Sequence, residues 1–217
     1  MRSLGTGDDQ TEEWLEILRG GSLHGVESRL LESRSSLGSW WLVAERLRPV
    51  VGAIAARKAT GTLSPLAAQL AAERLARGLV RLSDALPVHP TMARCLIGSA
   101  TGDADIVEAA LAEICLREAG WHTFAAVPAT DYEGLDEVVE SHDFRLVVLT
   151  ASAALEDGNE LAGQAANIAA VCARKDVAAV FCGAGSWPEQ AAPARVVHSF
   201  EAFHAAALEL LPKDLMQ

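Results

Sequence analysis

The sequence predicts an α/β protein in which an antiparallel bundle of four helices precedes a doubly wound, five-stranded parallel sheet. Three observations support this fold class. Helical periodicity fills the first 87 residues, short apolar runs alternate with helical segments from residue 94 onward, and the charge balance changes between the two parts. With 217 residues, half of them hydrophobic, the chain is long enough to bury a sizeable core.

The change in charge places a domain boundary near residues 87–90. Residues 1–87 carry 11 basic and 10 acidic side chains, whereas residues 88–217 carry 7 basic and 19 acidic ones. Two prolines, Pro87 and Pro90, interrupt helix formation at this point. We therefore expect a helical domain over 1–87 and a sheet domain over 88–217.

Four helices are predicted in the first domain from apolar spacing and from capping residues. Ser64 and Pro65 form a typical helix start, and Pro49 predicts a kink in the third helix unless that helix is really two pieces. Short connections between such helices favour an antiparallel bundle. The predicted helices cover residues 9–18, 22–35, 39–58 and 64–86.

In the second domain strands and helices alternate, which is typical of a parallel sheet with helices on both faces. Runs such as Leu146–Leu149 and Val177–Cys182 are apolar without alternation, as expected of strands that are covered on both sides. The predicted strands cover residues 94–99, 122–127, 144–150, 177–183 and 195–198. The predicted helices cover residues 104–119, 131–141, 157–174 and 200–211.

The segment from Cys95 to Trp121 is the most informative part of the chain. It combines a buried strand, a loop of small residues and a helix, with Gly102 suited to a tight turn and Asp103 to an N-cap. Such a unit directs backbone N–H groups to the carboxyl edge of a sheet, where open α/β folds bind ligands.

Composition excludes several classes of protein. No apolar run reaches the roughly 20 residues that a membrane helix needs, and the N-terminus lacks the apolar stretch of a signal peptide. The acidic second domain disfavours direct binding to nucleic acid. The cysteines, which have no CxxC spacing, indicate buried thiols in a reducing compartment, so we expect a cytoplasmic protein; they are Cys95, Cys115, Cys172 and Cys182.

Short phrases in both domains carry a family resemblance, in the family's order and spacing over about residues 12–211. In the first domain they are Leu15–Gly21 (LEILRGG), Leu47–Ile54 (LRPVVGAI), Gly61–Ser64 (GTLS) and Ala72–Leu75 (AERL). In the second they are Gly102–Asp103, Ala119–Trp121 (AGW), Val127–Pro128, Leu146–Thr150 (LVVLT) and Cys182–Gly185 (CGAG). The chain thus resembles the cobalamin-binding sensors and corrinoid proteins. This resemblance implies a flavodoxin-like (Rossmann-like) sheet domain beneath the bundle.

The ligand-holding positions depart from the family pattern. The family's loop reads Gly-Asp/Glu-x-His-x-x-Gly, with the histidine as lower axial ligand to cobalt; here Asp105 stands at the histidine and Glu108 at the last glycine. A carboxylate matches this metal poorly, and the bulk of Glu108 would obstruct the nucleotide tail. In the photosensory branch a Trp and a Glu-His pair cover the upper corrin face, and by spacing those positions hold Lys58, Ala68 and Gln69. We therefore expect no binding of cobalamin through a histidine of this loop.

Other family marks are partly kept. The resemblance and the expected sheet topology bring together the loops after the first, third and fourth predicted strands, at residues 99–105, 150–155 and 183–187. The bundle would lie above these loops as a lid. There Lys58 and Gln69 would suit an anionic ligand such as a tetrapyrrole with propionates, unless both point to solvent and the cleft has closed. The candidate cofactor-binding residues are Thr101, Gly102, Asp103, Asp105, Thr150, Ser152, Gly183, Gly185, Lys58 and Gln69.

Two rival sites are weaker. Gly98–Asp103 resembles the phosphate loop of flavodoxins, with Trp187 available to stack on a ring, but a tight turn and a loop tryptophan explain the same residues. His122 and His142 flank predicted strands, and either is a candidate haem ligand in a tetrapyrrole-binding relative, although surface or boundary positions are the simpler explanation. No catalytic triad, nucleophile elbow or zinc spacing is visible.

These observations predict a protein that is not an enzyme. The leading hypothesis is a sensory module in transcriptional regulation, which binds a tetrapyrrole-like ligand or none, signals through a protein partner and self-associates as a homodimer. The alternatives are a corrinoid methyl carrier that serves methyltransferases, which would want the histidine that Asp105 replaces, and a flavin-binding module that uses Thr101 and Gly102.

Overall fold

The computed structural model describes residues 7–100, 106–126, 132–153 and 157–212. Four helices come first, as predicted, and each is within three residues of its predicted bounds. They are α1 (Gly7–Gly20), α2 (Leu23–Leu37), α3 (Trp40–Ala59) and α4 (Pro65–Asp84).

Local chemistry explains where these helices start and stop. Ser22 accepts a hydrogen bond from the backbone N–H of Gly25, and Ser64 accepts one from Ala67, so each hydroxyl caps the first turn of its helix. Gly38 ends α2 in the left-handed conformation, at a φ of +88°. Helix α3 continues as one element through Pro49.

A five-stranded sheet follows, and all its named strands pair in parallel in the order β2-β1-β3-β4-β5. This order is flavodoxin-like, so the predicted fold class is confirmed. The strands are β1 (Arg94–Ser99), β2 (His122–Ala126), β3 (Phe144–Ala151), β4 (Ala178–Gly183) and β5 (Arg195–Val196). The helices are α5 (Val107–Glu118), α6 (Leu135–Ser141), α7 (Gly158–Arg174) and α8 (Phe200–Glu209).

The second domain differs from the sequence prediction mainly at the ends of its elements. Strand β5 has two residues instead of the predicted four, and helix α6 begins at Leu135 instead of 131. The described part of α5 begins at Val107 with Ile106 in the N-cap position, while the predicted cap, Asp103, lies outside the described residues. Element ends depend on local capping more than on periodicity, so they are the least predictable feature.

The two faces of the sheet are covered differently. Helices α6 and α7 cover one face, and α5 and α8 cover the other, where the four-helix bundle packs on them as an additional layer. One hydrophobic cluster runs from the bundle through α5 into the sheet, and a second lies between the other face of the sheet and helices α6 and α7. The predicted division into domains 1–87 and 88–217 remains a prediction.

Helix α5 is enclosed by this arrangement. Its residues 107–116 are all buried, including the two glutamates Glu108 and Glu113. The Thr123 hydroxyl donates to Glu113 at 2.9 Å, and Arg117 donates to that hydroxyl at 2.5 Å. Burial raises the pKa of Glu113, while the bond from Thr123 and the charge of Arg117 oppose the rise.

Two carboxylates tie the bundle to the sheet domain by capping helices of the other part. Glu118, at the end of α5, accepts from the backbone N–H of Trp40 at 2.7 Å and pairs with Arg34 at 2.9 Å. Glu45 of α3 accepts from the backbone N–H of Phe200 at the start of α8. Ser39, the N-cap residue of α3, makes no capping bond with its own side chain, so Glu118 takes that role.

Two expectations from composition have structural counterparts. The four cysteines are buried and unpaired by disulfides, as predicted. Among the described helices, none combines the length and the apolar character that crossing a bilayer requires.

We predict that Glu118→Ala lowers the free energy of unfolding by about 1–3 kcal/mol, because it uncaps α3 and removes the partner of Arg34. Chemical denaturation monitored by circular dichroism measures the change. Glu32→Ala is the matched control, since Glu32 is exposed and pairs only with Arg29 of its own helix, and it should change stability by less than about 0.5 kcal/mol. Equal effects of the two variants would contradict the capping role.

Candidate functional site

The carboxyl ends of three neighbouring strands line up at one edge of the sheet. Ser99 of β1 lies opposite Thr150 of β3, and Thr150 lies opposite Cys182 of β4. The chain leaves β1 for the α5 face and β3 for the α7 face, so the crevice of a doubly wound sheet falls between these two strands. This is the edge at which the sequence places a ligand.

The candidate hydroxyls at this edge are buried in the protein. Thr150 is fully buried, and its hydroxyl donates to the carbonyl of Gly98 at 3.3 Å; Ser152 is 3% exposed. In these positions both side chains belong to the packed edge and are not displayed in an open cleft.

Tyr132 also lies at this edge, and the sequence analysis did not anticipate it. Its hydroxyl donates to the carbonyl of Ser99 at 2.5 Å, and burial raises its pKa. A side chain at Gly98 would collide with the Tyr132 hydroxyl, so the glycine is needed for this close approach. Two features of the sequence could have indicated this contact: a glycine inside a predicted strand, Gly98, and an aromatic residue in the loop before α6.

Gly183, the last residue of β4, and Gly185 both lie close to the end of β3. Gly183 has a φ of +101°, and a Cβ there would collide with the Ala151 carbonyl oxygen; a Cβ at Gly185 would lie 2.5 Å from the Ala151 Cβ. The Gly185 N–H also donates to the Ala151 carbonyl at 2.9 Å. The end of β4 and the residues that follow it therefore lie directly against the end of β3.

Trp187 is part of the same closure. Its indole N–H donates to the carbonyl of Cys182 at 2.7 Å, its ring stacks on Phe181 at a centroid distance of 5.2 Å, and it is 6% exposed. The ring is occupied by these contacts, so the structure does not support its use as a stacking platform for a flavin.

Glu108 fills space on the α5 side of the edge. It is 2% exposed. Burial raises the pKa of the Cys182 thiol, and the negative charge of Glu108 adds to this rise. A buried carboxylate therefore occupies the first turn of α5, where the family resemblance implies a glycine.

A small cavity remains between the bundle and the end of β4. Its volume is about 10 Å³, room for about one water molecule. The guanidinium of Arg48 on α3 donates to the carbonyl of His198 at 2.8 Å beside this cavity. Sequence reasoning missed Arg48, because nothing in an apolar helix marks one arginine as facing the sheet. The lining residues are Arg48, Cys182, Gly183, His198, Ser199 and Phe200.

A wider cavity, of about 440 Å³, lies at the opposite edge of the sheet. It is bounded by the start of β1 and the start of β3, where Arg94, Asp143 and Arg145 contribute charged groups. Asp143 and Arg145 form an ion pair at 3.1 Å. The candidate residues of the sequence analysis do not line this cavity.

The two predicted lid residues are exposed. Arg48 of α3 lies beside the carboxyl edge of the sheet, at the cavity next to the end of β4. Lys58 lies ten residues further along α3, about 15 Å from Arg48. Asp84 and Arg117 form an ion pair at 3.8 Å, so the C-terminal ends of α4 and α5 lie side by side. Counted from these ends, α4 is longer than α5 by eight residues, or about 12 Å. The first turns of α4, with Gln69, therefore extend past the start of α5.

Four of the predicted site residues belong to the loop after β1. Thr101, Gly102, Asp103 and Asp105 lie outside the described residues. Within the described part of the chain, no group of three or more His, Cys, Asp or Glu side chains is arranged to hold a metal ion.

Three histidines contact aromatic rings. His122 lies 4.5 Å from the Phe124 ring and His142 lies 5.7 Å from the Phe144 ring, measured between ring centroids. His204 of α8 stacks on Trp41 of α3, so this ring pair joins the bundle to the sheet domain.

Comparison with known proteins identifies the fold. No protein-family model matches the sequence, and no curated protein is recognisably similar to it. The monomethylamine corrinoid protein of Methanosarcina barkeri has a similar structure, with a TM-score of 0.67 at 13% identity over 94% of this chain and 100% of that one. At this identity the likeness shows a shared fold, which confirms the structural part of the family resemblance.

Two further solved structures match less well. A cobalamin-binding protein from Desulfitobacterium hafniense DCB-2 has a TM-score of 0.46 at 10% identity, over 93% of this chain and 98% of that one. The methanol:cobalamin methyltransferase complex from Methanosarcina barkeri has a TM-score of 0.46 at 13% identity, over 95% of this chain and 84% of that one.

We predict that Gly183→Ala lowers the free energy of unfolding by about 2 kcal/mol or more, because the new Cβ meets the Ala151 carbonyl and the backbone is left-handed there. Gly163→Ala is the matched control: Gly163 lies inside α7 with no atom near its Cβ position, and it should gain about 0.5–1 kcal/mol. Thermal and urea denaturation measure both. Unchanged stability in Gly183→Ala would show that the edge is open.

Proposed function

We propose that this protein is a non-enzymatic regulatory module on the corrinoid-protein fold, and that it acts through a protein partner. The carrying observation is the closure of the carboxyl edge. Thr150 and Ser152 are buried, and Gly183 and Gly185 pack against Ala151. A binding fold whose ligand edge has been packed with its own side chains is suited to a role as a protein-recognition module.

Cobalamin with a histidine from the loop after β1 does not fit the residues present. Residue 105 is an aspartate, a poor ligand for this metal. Glu108 is a second carboxylate and is buried at the first turn of α5. We therefore derive no cobalt chemistry for this chain.

If a ligand is bound, the proposal favours an anionic one. Lys58 supplies a positive charge and Gln69 an amide, both on exposed positions of the two helices that extend past the edge. A tetrapyrrole with propionate groups would match these groups better than the uncharged face of a corrin. The four buried thiols favour a reducing compartment, so we propose a cytoplasmic location. We also propose that the module acts in the control of transcription.

A second candidate is a corrinoid methyl carrier. The full-length likeness to the monomethylamine corrinoid protein favours this role, and in that respect the comparison supports the carrier more than the sensor. Asp105 and the closed edge weigh against it. The flavin-binding alternative has the least support, because the ring of Trp187 is already covered by Phe181.

We predict that purified protein titrated with hydroxocobalamin shows no spectral change of imidazole ligation, and that added cob(II)alamin gives an EPR signal without nitrogen splitting from the protein. The absorption spectrum of the protein as purified is the companion measurement, since it distinguishes a corrin, a haem or bilin, and a flavin from an unliganded chain.

The informative variant is Asp105→His combined with Glu108→Gly, which introduces the family's loop residues. Acquisition of histidine-ligated cobalamin by this variant, with none in the parent, would support the proposal. Histidine ligation in the parent protein would overturn it and establish the carrier. Asp105→Asn with Glu108→Gln is the control, because it removes the same charges without supplying a ligand.

A further inference from the structure

We propose that two copies of this chain associate through the outer face of α4 in an antiparallel, two-fold pairing. The inference goes beyond the proposed function, because it concerns a surface remote from the sheet edge. Its basis is a stripe of exposed residues on α4 at alternating spacings of four and three. This outer stripe consists of Leu66, Leu70, Glu73, Arg77, Val80 and Asp84.

The spacing is that of a helix–helix contact. Residues that recur at alternating intervals of three and four form one seam along a helix, as in a coiled coil. The buried residues of α4 occupy the other side of the helix: a side chain at Gly78 would meet Val26 and Leu30 of α2, while Ala71 and Leu75 are fully buried in the core. The outer stripe therefore faces away from the bundle.

The stripe concentrates exposed apolar groups. The described residues include seven large hydrophobic side chains that are exposed, and three of them, Leu66, Leu70 and Val80, belong to this stripe. Leu66 is 66% exposed and Leu70 is 42% exposed. Apolar side chains concentrated on one helix face, and bordered by charged ones, are typical of a protein–protein contact.

The charged residues of the stripe select a second copy as the partner. In an antiparallel pairing centred between Glu73 and Arg77, Glu73 of each copy faces Arg77 of the other, and Leu70 of each faces Val80 of the other. Opposite charges and apolar groups then match on both sides of the axis, as an isologous two-fold interface requires. The outermost pair, Leu66 with Asp84 of the second copy, lies at the margin of the contact.

Other arrangements of the same stripe match poorly. A parallel pairing places Glu73 against Glu73 and Arg77 against Arg77, so like charges face each other. If the two-fold axis instead lies between Leu70 and Glu73, Leu70 of each copy faces Glu73 of the other. Leu66 then faces Arg77 of the other copy. Self-complementarity therefore specifies one orientation and one register.

The charges remain available for this contact. Within one chain Glu73 and Arg77 already pair at 2.6 Å, but the Arg77 side chain is 67% exposed and that of Glu73 is 39% exposed. In the dimer the two intrachain pairs become a network of four charges across the axis. Because the contact is confined to one helix per chain, we expect weak association, with a dissociation constant on the order of 10 micromolar.

Sedimentation equilibrium of the full chain from 1 to 200 micromolar tests the proposal. We expect a monomer–dimer equilibrium that Leu70→Glu shifts at least about tenfold toward monomer. Leu31→Glu and Leu208→Glu are the matched controls, since these leucines are about half exposed on α2 and α8, and both should leave the equilibrium unchanged. A wild-type chain that is monomeric at 200 micromolar, or a dimer insensitive to Leu70→Glu, would overturn the proposal.

A charge exchange tests the register without relying on loss of folding. Glu73→Arg alone should weaken the dimer, because the introduced guanidinium of each copy would then face Arg77 of the other. Glu73→Arg with Arg77→Glu should restore it, since the exchanged charges are again complementary. Failure of the double variant to recover association would reject the pairing.

Disulfide trapping measures the same geometry directly. The native cysteines are buried, so Leu70→Cys and Val80→Cys each introduce one accessible thiol. An oxidised mixture of the two variants should yield the mixed dimer, whereas either variant alone should yield much less, because identical positions lie about 15 Å apart along the paired helices. Equal trapping in all three samples would exclude the proposed register.

Discussion

The burial of α5 on all sides is the constraint on which this structure depends. A helix that follows the first strand of a doubly wound sheet normally exposes one face to water, but here ten successive residues of α5 are buried between the sheet and the bundle. A helix in this position must be apolar all round or must satisfy its polar groups internally. Glu113 meets that requirement through Thr123 and Arg117, and the carboxylate of Glu118 caps α3. The bundle and the sheet domain are thus parts of one packed core.

This constraint bears on the functional edge. Since α5 cannot move away from the sheet without unpacking the bundle, space at the carboxyl ends of β1, β3 and β4 is set by side chains. Glu108 occupies the first turn of α5, Tyr132 covers the end of β1, and Gly183 and Gly185 let the end of β4 lie against Ala151 at the end of β3.

The fold was largely predictable from the sequence, whereas the site was predictable only in outline. Apolar periodicity and the alternation of elements located all four bundle helices and all five strands, because these signals extend over many residues. The row Ser99, Thr150 and Cys182 followed from the rule that carboxyl ends of parallel strands share an edge. Tyr132 and Arg48 could not be found in this way, because their contacts connect residues 33 and 150 positions apart in the chain. The partner that approaches Gly183 and Gly185, Ala151, could not be identified from the sequence either, since a glycine does not show what approaches it.

The inner and outer faces of α4 also show why a shared fold does not fix a shared function. The inner face is specified by the core: Gly78 and the alanines allow α2 and α5 to approach, and their replacement would disturb every layer. The outer stripe lies outside that core: its leucines are exposed, while its charged residues pair within one chain, Glu73 with Arg77 and Asp84 with Arg117 of α5. The sheet edge stands between these extremes, because its backbone is set by the fold while its side chains decide whether a ligand enters. A chain can therefore retain this backbone, rebuild those side chains and keep the architecture without keeping the function of another protein of the fold.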